Sequence, residues 1–275
     1  MKVIAVTAAY NDELTIGECL RHVNQLNPGV AYHIFVTNNV TDKTDEIIDA
    51  HLALYPGERI SYNLDANYTQ KHDDPYCALA LAWQKGLDFA RDKMLDDEEI
   101  THILYLDSDI FILDTDALVK AARWRRPIVG GTYLRDFPTG RMIASVFLID
   151  DEIQRLLPDM DLKLGEPMRF NAIFYGCIPV LYTSAGFMLM ERRAAMDEKL
   201  RFSPIHKIAY DDGFRKETSP EFGLQELARR AGYGTYIDGT VKLSHYVGAR
   251  HRAWRDDGSG DYIKFEYERG ITNAP

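Results

Sequence analysis

The first 110 residues alternate short apolar runs with segments whose apolar residues recur at helical spacing. The runs Val3–Thr7, Tyr32–Thr37 and Ile103–Leu106 are typical of buried strands. Between them, Leu14–Leu26 and Ala78–Lys93 each carry one apolar face, which predicts two amphipathic helices. Strands that alternate with helices of this length form a mostly parallel sheet with helices on both faces. We therefore predict an α/β fold.

The second half of the chain gives less regular signals. Tyr233–Ile237 and Val241–His245 predict two short strands on either side of Asp238-Gly239, and Phe222–Ala231 predicts a helix. Other strands are predicted at Arg59–Leu64, Ile128–Tyr133, Ala144–Ile149 and Phe187–Met190, and another helix at Asp45–Leu54. No linker-like stretch interrupts these elements, which favours a single domain.

Three polar segments follow predicted strands directly. They are Ala8–Asp12, Asn38–Thr44 and Asp107–Asp109. Because the carboxyl ends of parallel strands meet at one edge of a sheet, and ligands of such sheets bind there, these segments predict a common binding site.

Asp107-Ser108-Asp109 is the most informative of these segments, since it follows the apolar run Ile103–Leu106. Carboxylates avoid apolar surroundings unless they are paired or bound to a metal. Alternation along an extended chain puts Asp107 and Asp109 on the same side, and their oxygens suit Mg²⁺ or Mn²⁺. The pattern favours a metal site that is shared with a diphosphate. The alternative is a solvated turn that caps a helix.

Two further residues fit such a site. His245 ends a short apolar run, and an imidazole is an acceptable ligand of Mn²⁺, although a lone histidine is often structural. Glu221 opens a predicted helix. It is a candidate general base, and the alternative is a favourable interaction with the helix dipole alone. The other histidines lack this context and are predicted to be structural or at the surface: His22, His33, His51, His72, His102, His206 and His251.

Charge and cysteine usage limit the function classes. The formal net charge of −10 is unfavourable for broad binding to nucleic acid, though it leaves a nucleic-acid acceptor open. Cys19, Cys77 and Cys177 contain no CxxC pair, which favours a reducing, cytoplasmic location over a disulfide framework. No stretch reaches the ~18 apolar residues that a membrane span requires.

Taken in order, these segments resemble the family-2-type inverting glycosyltransferases. Val6–Leu20 is similar to the opening strand, loop and helix of that family, and Val36–Ile48 is similar to its second segment. Asp107–Asp109 stands where the family has its metal-binding DxD motif. Glu221 stands at the acid of the family's helix start, and His245 matches the histidine that follows two strands later. The matched segments extend over residues 3–246.

The resemblance implies a GT-A (Rossmann-like) fold and a metal-dependent, hexosyltransferase-like activity that uses a nucleotide sugar, UDP- or GDP-linked. It implies a nucleotide-binding half at 1–110, an acceptor half at 111–248, and a polar C-terminal tail or lid at 249–275, all within one domain, 1–275. The acceptor would be a glycan, a lipid-linked sugar or another hydroxyl. The implied donor-binding residues are Ala8, Ala9, Tyr10, Asn11, Asn38, Asn39, Asp107 and Ser108. Asp107, Asp109 and His245 are the implied ligands of Mn²⁺ or Mg²⁺, with Asp109 favoured over Asp107, and Glu221 is the implied catalytic base.

The sequence departs from the family pattern at several positions. Ala9 replaces the usual proline, Thr37-Asn38 replaces an acidic pair, and Pro220-Glu221 replaces Glu-Asp. The Q-x-x-R-W motif of processive synthases is absent from the sequence, which favours transfer of a single sugar. Two other classes remain open. A nucleotidyltransferase would normally carry a glycine-rich basic loop at 8–12, and a non-catalytic nucleotide- or sugar-binding protein would be expected to lose the DxD motif or the helix-start acid.

Residues outside the motifs receive secondary predictions. Gly186-Phe187-Met188 is predicted to form part of the acceptor floor, because glycine permits close approach. Trp83 and Trp124 are predicted to serve in packing. Trp254 is a candidate for stacking on a sugar or ordering a lid, and the arginines beside it are candidates for binding diphosphate; these are Arg250, Arg252 and Arg255.

Overall fold

The computed structural model of the protein describes most of the chain in several stretches. These are residues 1–64, 75–136, 142–144, 146–147, 176–202, 206–209, 215–247, 250–256 and 262–268.

Four parallel strands form one half of the central sheet. They are β1 (Lys2–Ala9), β2 (Tyr32–Asn38), β3 (Gly57–Tyr62) and β4 (Ile100–Leu106). Their order is β3-β2-β1-β4, with β1 paired to both β2 and β4. The carboxyl ends of all four strands therefore lie at one edge of the sheet, as the sequence predicts.

Helices cover both faces of this half, and β1 shows how the faces divide. Ile4 and Val6 pack in a cluster with Trp83 and Leu87 of a long helix. Val3 belongs, on the opposite face, to a second cluster with residues of the first helix. These strand residues are fully buried, and each such side chain contributes roughly 1.5–3 kcal/mol. The described helices are α1 (Ile16–Val23), α2 (Thr44–Leu52), α3 (Pro75–Asp96), α4 (Ala117–Ala122), α5 (Arg192–Ala195) and α6 (Pro220–Arg230).

The predicted boundaries of the first helix were wrong at both ends. The backbone N–H groups of Thr15 and Ile16 both bond to the carbonyl oxygen of Asp12, so the chain turns before the helix begins. At the other end, Gln25 and Leu26 make turn-type bonds to the preceding residues. The helical spacing of apolar residues in the sequence continues to Leu26, whereas the helical hydrogen bonds end before it. By contrast, α3 is longer than the predicted Ala78–Lys93.

The second half of the sheet mixes strand directions. The described strands are β5 (Ile110–Ile112), β6 (Ile128–Thr132), β7 (Leu134–Asp136), β8 (Met142–Ala144), β9 (Val146–Phe147), β10 (Cys177–Val180), β11 (Tyr182–Thr183), β12 (Phe187–Glu191), β13 (His206–Ala209), β14 (Arg215–Thr218), β15 (Thr235–Val247), β16 (Arg250–Asp256) and β17 (Tyr262–Glu268). Strand β12 runs antiparallel between β4 and β6, and β15 runs parallel to β6. Strand β5 pairs antiparallel with β15, which brings the end of β15 to the turn after β4. The architecture is an α/β sheet flanked by helices, so the predicted fold class is confirmed.

The prediction of two strands around Asp238-Gly239 was wrong, because β15 passes through this pair without a break. The carboxylate of Asp238 is fully buried and accepts hydrogen bonds from the Trp124 indole and from the N–H and hydroxyl of Thr240. These contacts hold the chain extended, and the irregularity appears only as a shifted register between Ile237 and Lys242 against β6.

The predicted C-terminal segment contains two further strands. Strand β16 pairs antiparallel with both β15 and β17, so the sheet extends beyond β15. A role of 249–275 as a lid stays a prediction. None of the helices that the structure describes is both long and apolar enough to span a membrane.

Candidate active site

A cavity of about 470 Å³ opens at the carboxyl ends of β1, β2 and β4. One wall consists of the loops that follow these strands, and the other is an apolar surface of α3 at Ala78, Leu79 and Ala82. The described residues that line the cavity are Ala8, Ala9, Tyr10, Asp12, Asn38, Asn39, Leu64, Ala78, Leu79, Ala82, Asp107, Ser108 and Asp109. All the predicted donor-binding residues except Asn11 thus lie around one space.

Asn11 does not line this cavity, but it helps to hold together two of the loops that do. Its backbone has a φ of 54°, a left-handed conformation that asparagine tolerates better than most residues. Its side-chain oxygen accepts hydrogen bonds from the Thr41 N–H at 2.8 Å and the Thr41 hydroxyl at 3.3 Å. Nearby, Glu13 accepts from the N–H of Lys43 at 3.2 Å. These bonds fasten the loop after β1 to the loop after β2.

Asn38 and Asn39 lie side by side at the end of β2 but differ in their contacts. The amide of Asn39 bonds in both directions to the backbone of Leu64, with donor–acceptor distances of 3.2 and 3.0 Å. Its φ of 46° turns the chain sharply at this point. The amide of Asn39 is therefore occupied in holding the segment after β3, whereas Asn38 is half-buried and lines the cavity.

Asp12 lines the cavity as part of the predicted segment Ala8–Asp12, although no individual role was predicted for it. Its carboxylate accepts hydrogen bonds from the Ser108 hydroxyl at 2.7 Å and from the Tyr10 N–H at 2.8 Å. Its own N–H donates to Thr44 at 2.6 Å. Burial raises the pKa of the Asp12 carboxyl above its ordinary value, and the bond from Ser108 opposes that shift. The available signal was an acid in the polar loop after the first strand, but its partner was not predictable.

Asp107 and Asp109 lie in the short turn between β4 and β5. The turn is closed by the N–H of Ile110, which donates to the carbonyl oxygen of Asp107 at 3.2 Å. Asp107 is half-buried, and the side chain of Asp109 is 39% exposed. Both carboxylates line the larger cavity and also a second, smaller one.

His245 reaches Asp109 through strand pairing. It lies opposite Ile110 in the β15–β5 ladder, and the N–H of Tyr246 donates to the carbonyl oxygen of Asp109 at 2.9 Å. The Nε2 atom of His245 is then 3.3 Å from Oδ2 of Asp109. A carboxylate and an imidazole at this distance can share a divalent cation. Within the described stretches, no cluster of three or more acidic, histidine or cysteine side chains is preassembled for a metal.

The smaller cavity has a volume of about 200 Å³ and adjoins the larger one at Leu79, Asp107 and Asp109. The described residues that line it are Leu79, Trp83, Asp107, Asp109, Tyr133, Ser184, Ala185, Ser219, Glu221 and His245. The predicted base, Glu221, and the predicted metal ligands therefore face one space. Trp83, which was predicted only to pack, is fully buried and also forms part of this wall.

Glu221 is held at the first turn of α6. Pro220 begins the helix, and the hydroxyl of Ser219 donates to the Glu221 carboxylate, which is only 6% exposed. One turn later, Gln225 bonds to both backbone groups of Thr183: it accepts from the N–H at 2.8 Å and donates to the carbonyl oxygen at 2.6 Å. This pair of bonds ties the helix that carries Glu221 to the chain segment that lines the cavity.

The predicted acceptor floor at Gly186-Phe187-Met188 was wrong in its details. Phe187 and Met188 are fully buried in the two core clusters and line neither cavity. Ser184 and Ala185, just before them, form the wall instead. The side chains of Trp254 and its neighbouring arginines lie outside the part of the chain whose side chains are described.

Comparison with known proteins identifies the class of fold. A scan against protein-family models and a search of curated proteins both give no match. Solved structures do match, and the α/β architecture is that of a GT-A-type fold.

Structures of TarS from S. aureus are among those that match. This chain matches TarS 1-349 in complex with UDP at 14% identity and a TM-score of 0.52, over 87% of this chain and 58% of that one. It matches TarS 1-349 in complex with UDP-GlcNAc at 14% identity and a TM-score of 0.51, over 87% and 56%. The longer TarS structure gives 12% identity and a TM-score of 0.51, over 86% and 35%. The chain therefore spans little more than half of the TarS fragment, and at these identities the similarity establishes the fold alone.

Proposed function

We propose that this protein is a metal-dependent glycosyltransferase that moves one sugar from a nucleotide-sugar donor to an acceptor hydroxyl, with inversion. The observation that carries the proposal is the meeting of the two cavities at Asp107 and Asp109. A donor that spans both cavities would place its diphosphate at these carboxylates and its sugar in the smaller space, opposite Glu221.

The larger cavity suits the nucleotide. Its volume of about 470 Å³ falls in the range that is usual for small-molecule sites. The surface of α3 at Leu79 offers an apolar wall to a flat base, while Tyr10, Asn38 and Ser108 provide the polar edge. The structures of TarS with UDP and UDP-GlcNAc, which have the same fold, favour a UDP-sugar, and a GDP-sugar remains within the proposal.

The side chains at the point where the two cavities meet are suitable ligands for Mn²⁺ or Mg²⁺. Asp109 and His245 face each other at 3.3 Å, and Asp107 lines the same space. These residues would hold the ion, and diphosphate oxygens would complete its coordination. Once bound, such an ion offsets the negative charge that develops on the departing nucleoside diphosphate.

Glu221 is the proposed general base. Its carboxylate is buried, lines the smaller cavity and accepts a hydrogen bond from Ser219, which fixes its orientation. The acceptor hydroxyl gives its proton to Glu221 as its oxygen forms a bond to the anomeric carbon. The bond from that carbon to the diphosphate oxygen breaks on the opposite side, which inverts the configuration.

Three further expectations belong to this proposal. The acceptor is a glycan, a lipid-linked sugar or another hydroxyl, with nucleic acid left open, and one domain over 1–275 carries both halves of the site. A cytoplasmic location is supported by the three cysteines, since Cys19, Cys77 and Cys177 are all free thiols.

The test is donor hydrolysis. Purified protein with Mn²⁺ is incubated with UDP-, GDP- and dTDP-sugars, and released nucleoside diphosphate is measured for the wild type, Asp109→Ala and a control, Asp116→Ala. Asp116 is an exposed carboxylate that pairs with Lys120, away from both cavities. Release that EDTA and Asp109→Ala abolish, but Asp116→Ala does not, is the expected result.

Release from no donor, together with no Mn²⁺-dependent thermal shift from any nucleotide, would refute the proposal and favour a binding protein of the same fold. In a parallel incubation with nucleoside triphosphates and a sugar 1-phosphate, release of pyrophosphate with formation of a nucleotide sugar, and no diphosphate release from sugar donors, would identify a nucleotidyltransferase.

A further inference from the structure

Tyr133 lies directly beside His245, at the point where β6 ends. The two ring centroids are 5.2 Å apart with an interplanar angle of 65°, an edge-to-face contact of the kind that aromatic rings prefer. Tyr133 is 4% exposed and lines the smaller cavity with His245. No sequence motif pointed to it, because the two residues are brought together only by the pairing of β15 with β5 and β6.

The far end of the Tyr133 ring is anchored. Its hydroxyl donates a hydrogen bond to Oγ of Ser184, which in turn accepts from the N–H of Gly186 at 3.3 Å. Ser184 is buried as well, so water does not compete freely for this bond. The phenol is therefore fixed by hydrogen bonds at its tip and by packing along its edge.

Gly186 provides the room for this ring. A Cβ atom built on Gly186 would lie 2.7 Å from Cε1 of Tyr133 and 2.9 Å from its hydroxyl oxygen, closer than real contacts allow. A glycine at position 186 therefore leaves space for the Tyr133 ring. This role differs from the contact with the acceptor that the sequence predicts.

His245 also contacts Asp109. The imidazole Nε2 is 3.3 Å from Oδ2 of that carboxylate, and the imidazole ring is in edge-to-face contact with Tyr133. Strand pairing fixes the backbone of His245 but leaves two side-chain torsions to be set. The contacts with Tyr133 and Asp109 restrict these two torsions.

We propose that Tyr133 is a positioning residue, which holds the His245 imidazole in the orientation that faces Asp109 and the cavity. The proposal rests on the proposed function, since it assigns His245 to the divalent-cation site. Partners that orient a metal-binding histidine typically change metal affinity by about 10-fold to 100-fold when they are removed. Loss of the Tyr133 ring is expected to weaken binding within that range.

The experiment measures Mn²⁺ affinity by electron paramagnetic resonance of the free ion, with protein alone and with UDP or GDP added. Tyr133→Leu removes the ring, and Tyr133→Phe keeps the ring but removes the bond to Ser184. Phe35→Leu is the matched control, because it removes a buried ring that lines neither cavity. Tyr133→Leu should weaken Mn²⁺ binding by at least about 10-fold, Tyr133→Phe should recover most of it, and Phe35→Leu should leave it unchanged.

A double-mutant cycle separates positioning from general destabilisation. If Tyr133 acts through His245, Tyr133→Leu has no further effect on Mn²⁺ affinity in a His245→Ala background. An equal loss in both backgrounds, or wild-type affinity in Tyr133→Leu, would overturn the proposal. If Tyr133→Leu does not fold, the cycle is run with Gly186→Ala, which displaces the same ring, and the same outcomes apply.

The two proposals fail in different ways. A wild-type protein that binds no Mn²⁺ with either nucleotide overturns the metal-dependent function and the role of Tyr133 with it. A wild-type protein that binds Mn²⁺, and whose Tyr133 variants bind it equally well, overturns only the role of Tyr133.

Discussion

Replacement of Gln225 by methionine should both lower the stability of the protein and displace the proposed base, Glu221. Methionine has a similar length and fills the same buried space, but it cannot make either hydrogen bond to Thr183. Gln225 is 1% exposed, so water cannot replace the lost bonds. The Thr183 N–H and carbonyl oxygen both lose the partner that the amide provides.

The size of the effect follows from those two groups. A buried polar group that loses its partner costs about 1–3 kcal/mol, so the pair costs roughly 4 kcal/mol. In a chain of this size, that loss lowers the melting temperature by about 10 °C. Because α6 loses its two hydrogen bonds to Thr183 beside the cavity wall, Glu221 should also shift. A displacement on the order of 1 Å costs up to about 100-fold in rate.

The assay combines urea unfolding, followed by tryptophan fluorescence, with donor hydrolysis well below the melting temperature. For Gln225→Met, kcat should fall by at least about 10-fold, while KM for the donor stays close to wild type because no residue of α6 lines the larger cavity. Arg192→Leu is the control. Its guanidinium bonds to the carbonyl oxygens of Met94, Asp97 and Ile100, and it lines neither cavity.

The Arg192 variant should lose stability and keep its kcat. The reasoning would be refuted if Gln225→Met lost less than about 1 kcal/mol. It would equally be refuted if both variants lost similar stability and retained full kcat, because Gln225 would then have no particular link to Glu221.

Four other substitutions test separate parts of the structure. Burial lowers the pKa of His33 to about 3, so the unfolded chain alone takes up this proton below about pH 6.5. Stability should fall as pH is lowered, by up to about 1.4 kcal/mol per pH unit from this group, and urea unfolding of His33→Phe should lack that part of the slope. A Cβ on Gly130 would lie 2.0 Å from the Thr183 hydroxyl oxygen, so Gly130→Ala should destabilise by about 2 kcal/mol in the same assay. Gly17→Ala, whose Cβ has room at 3.8 Å from its nearest neighbour, should instead be neutral or stabilising. Ser108→Ala removes the hydrogen bond between the DxD turn and the loop after β1, so KM in donor hydrolysis should rise by about 5-fold and the free energy of unfolding should fall by about 1 kcal/mol.

The parallel half of the sheet was predictable because its signals are local. Val3–Thr7 and Ile103–Leu106 are apolar over the length of a strand, and α3 carries an apolar stripe of the right period. Once strands and helices alternate, parallel pairing follows, and the ends of the strands come to one edge. That is why Ala8, Asn38 and Asp107 could be expected to line one cavity.

Prediction failed where a local sequence pattern was compatible with two different structures. Asp238-Gly239 has the composition of a turn, but the buried contacts of Asp238 with Trp124 and Thr240 keep the strand continuous. Phe187 and Met188 begin a strand as predicted, yet sequence alternation does not say that both faces of that strand are buried.

The sequence by itself determined the alternating strands and helices, the edge at which polar loops gather, and the presence of Asp107 and Asp109 at that edge. Tertiary structure decided which distant side chains meet there: Tyr133 against His245, Gln225 against Thr183, and Ser108 against Asp12. The physical reason is the separation along the sequence of the residues involved. Helical and strand periodicity are properties of a few neighbouring residues, whereas each of these contacts depends on the register of strands or loops that are far apart in the chain.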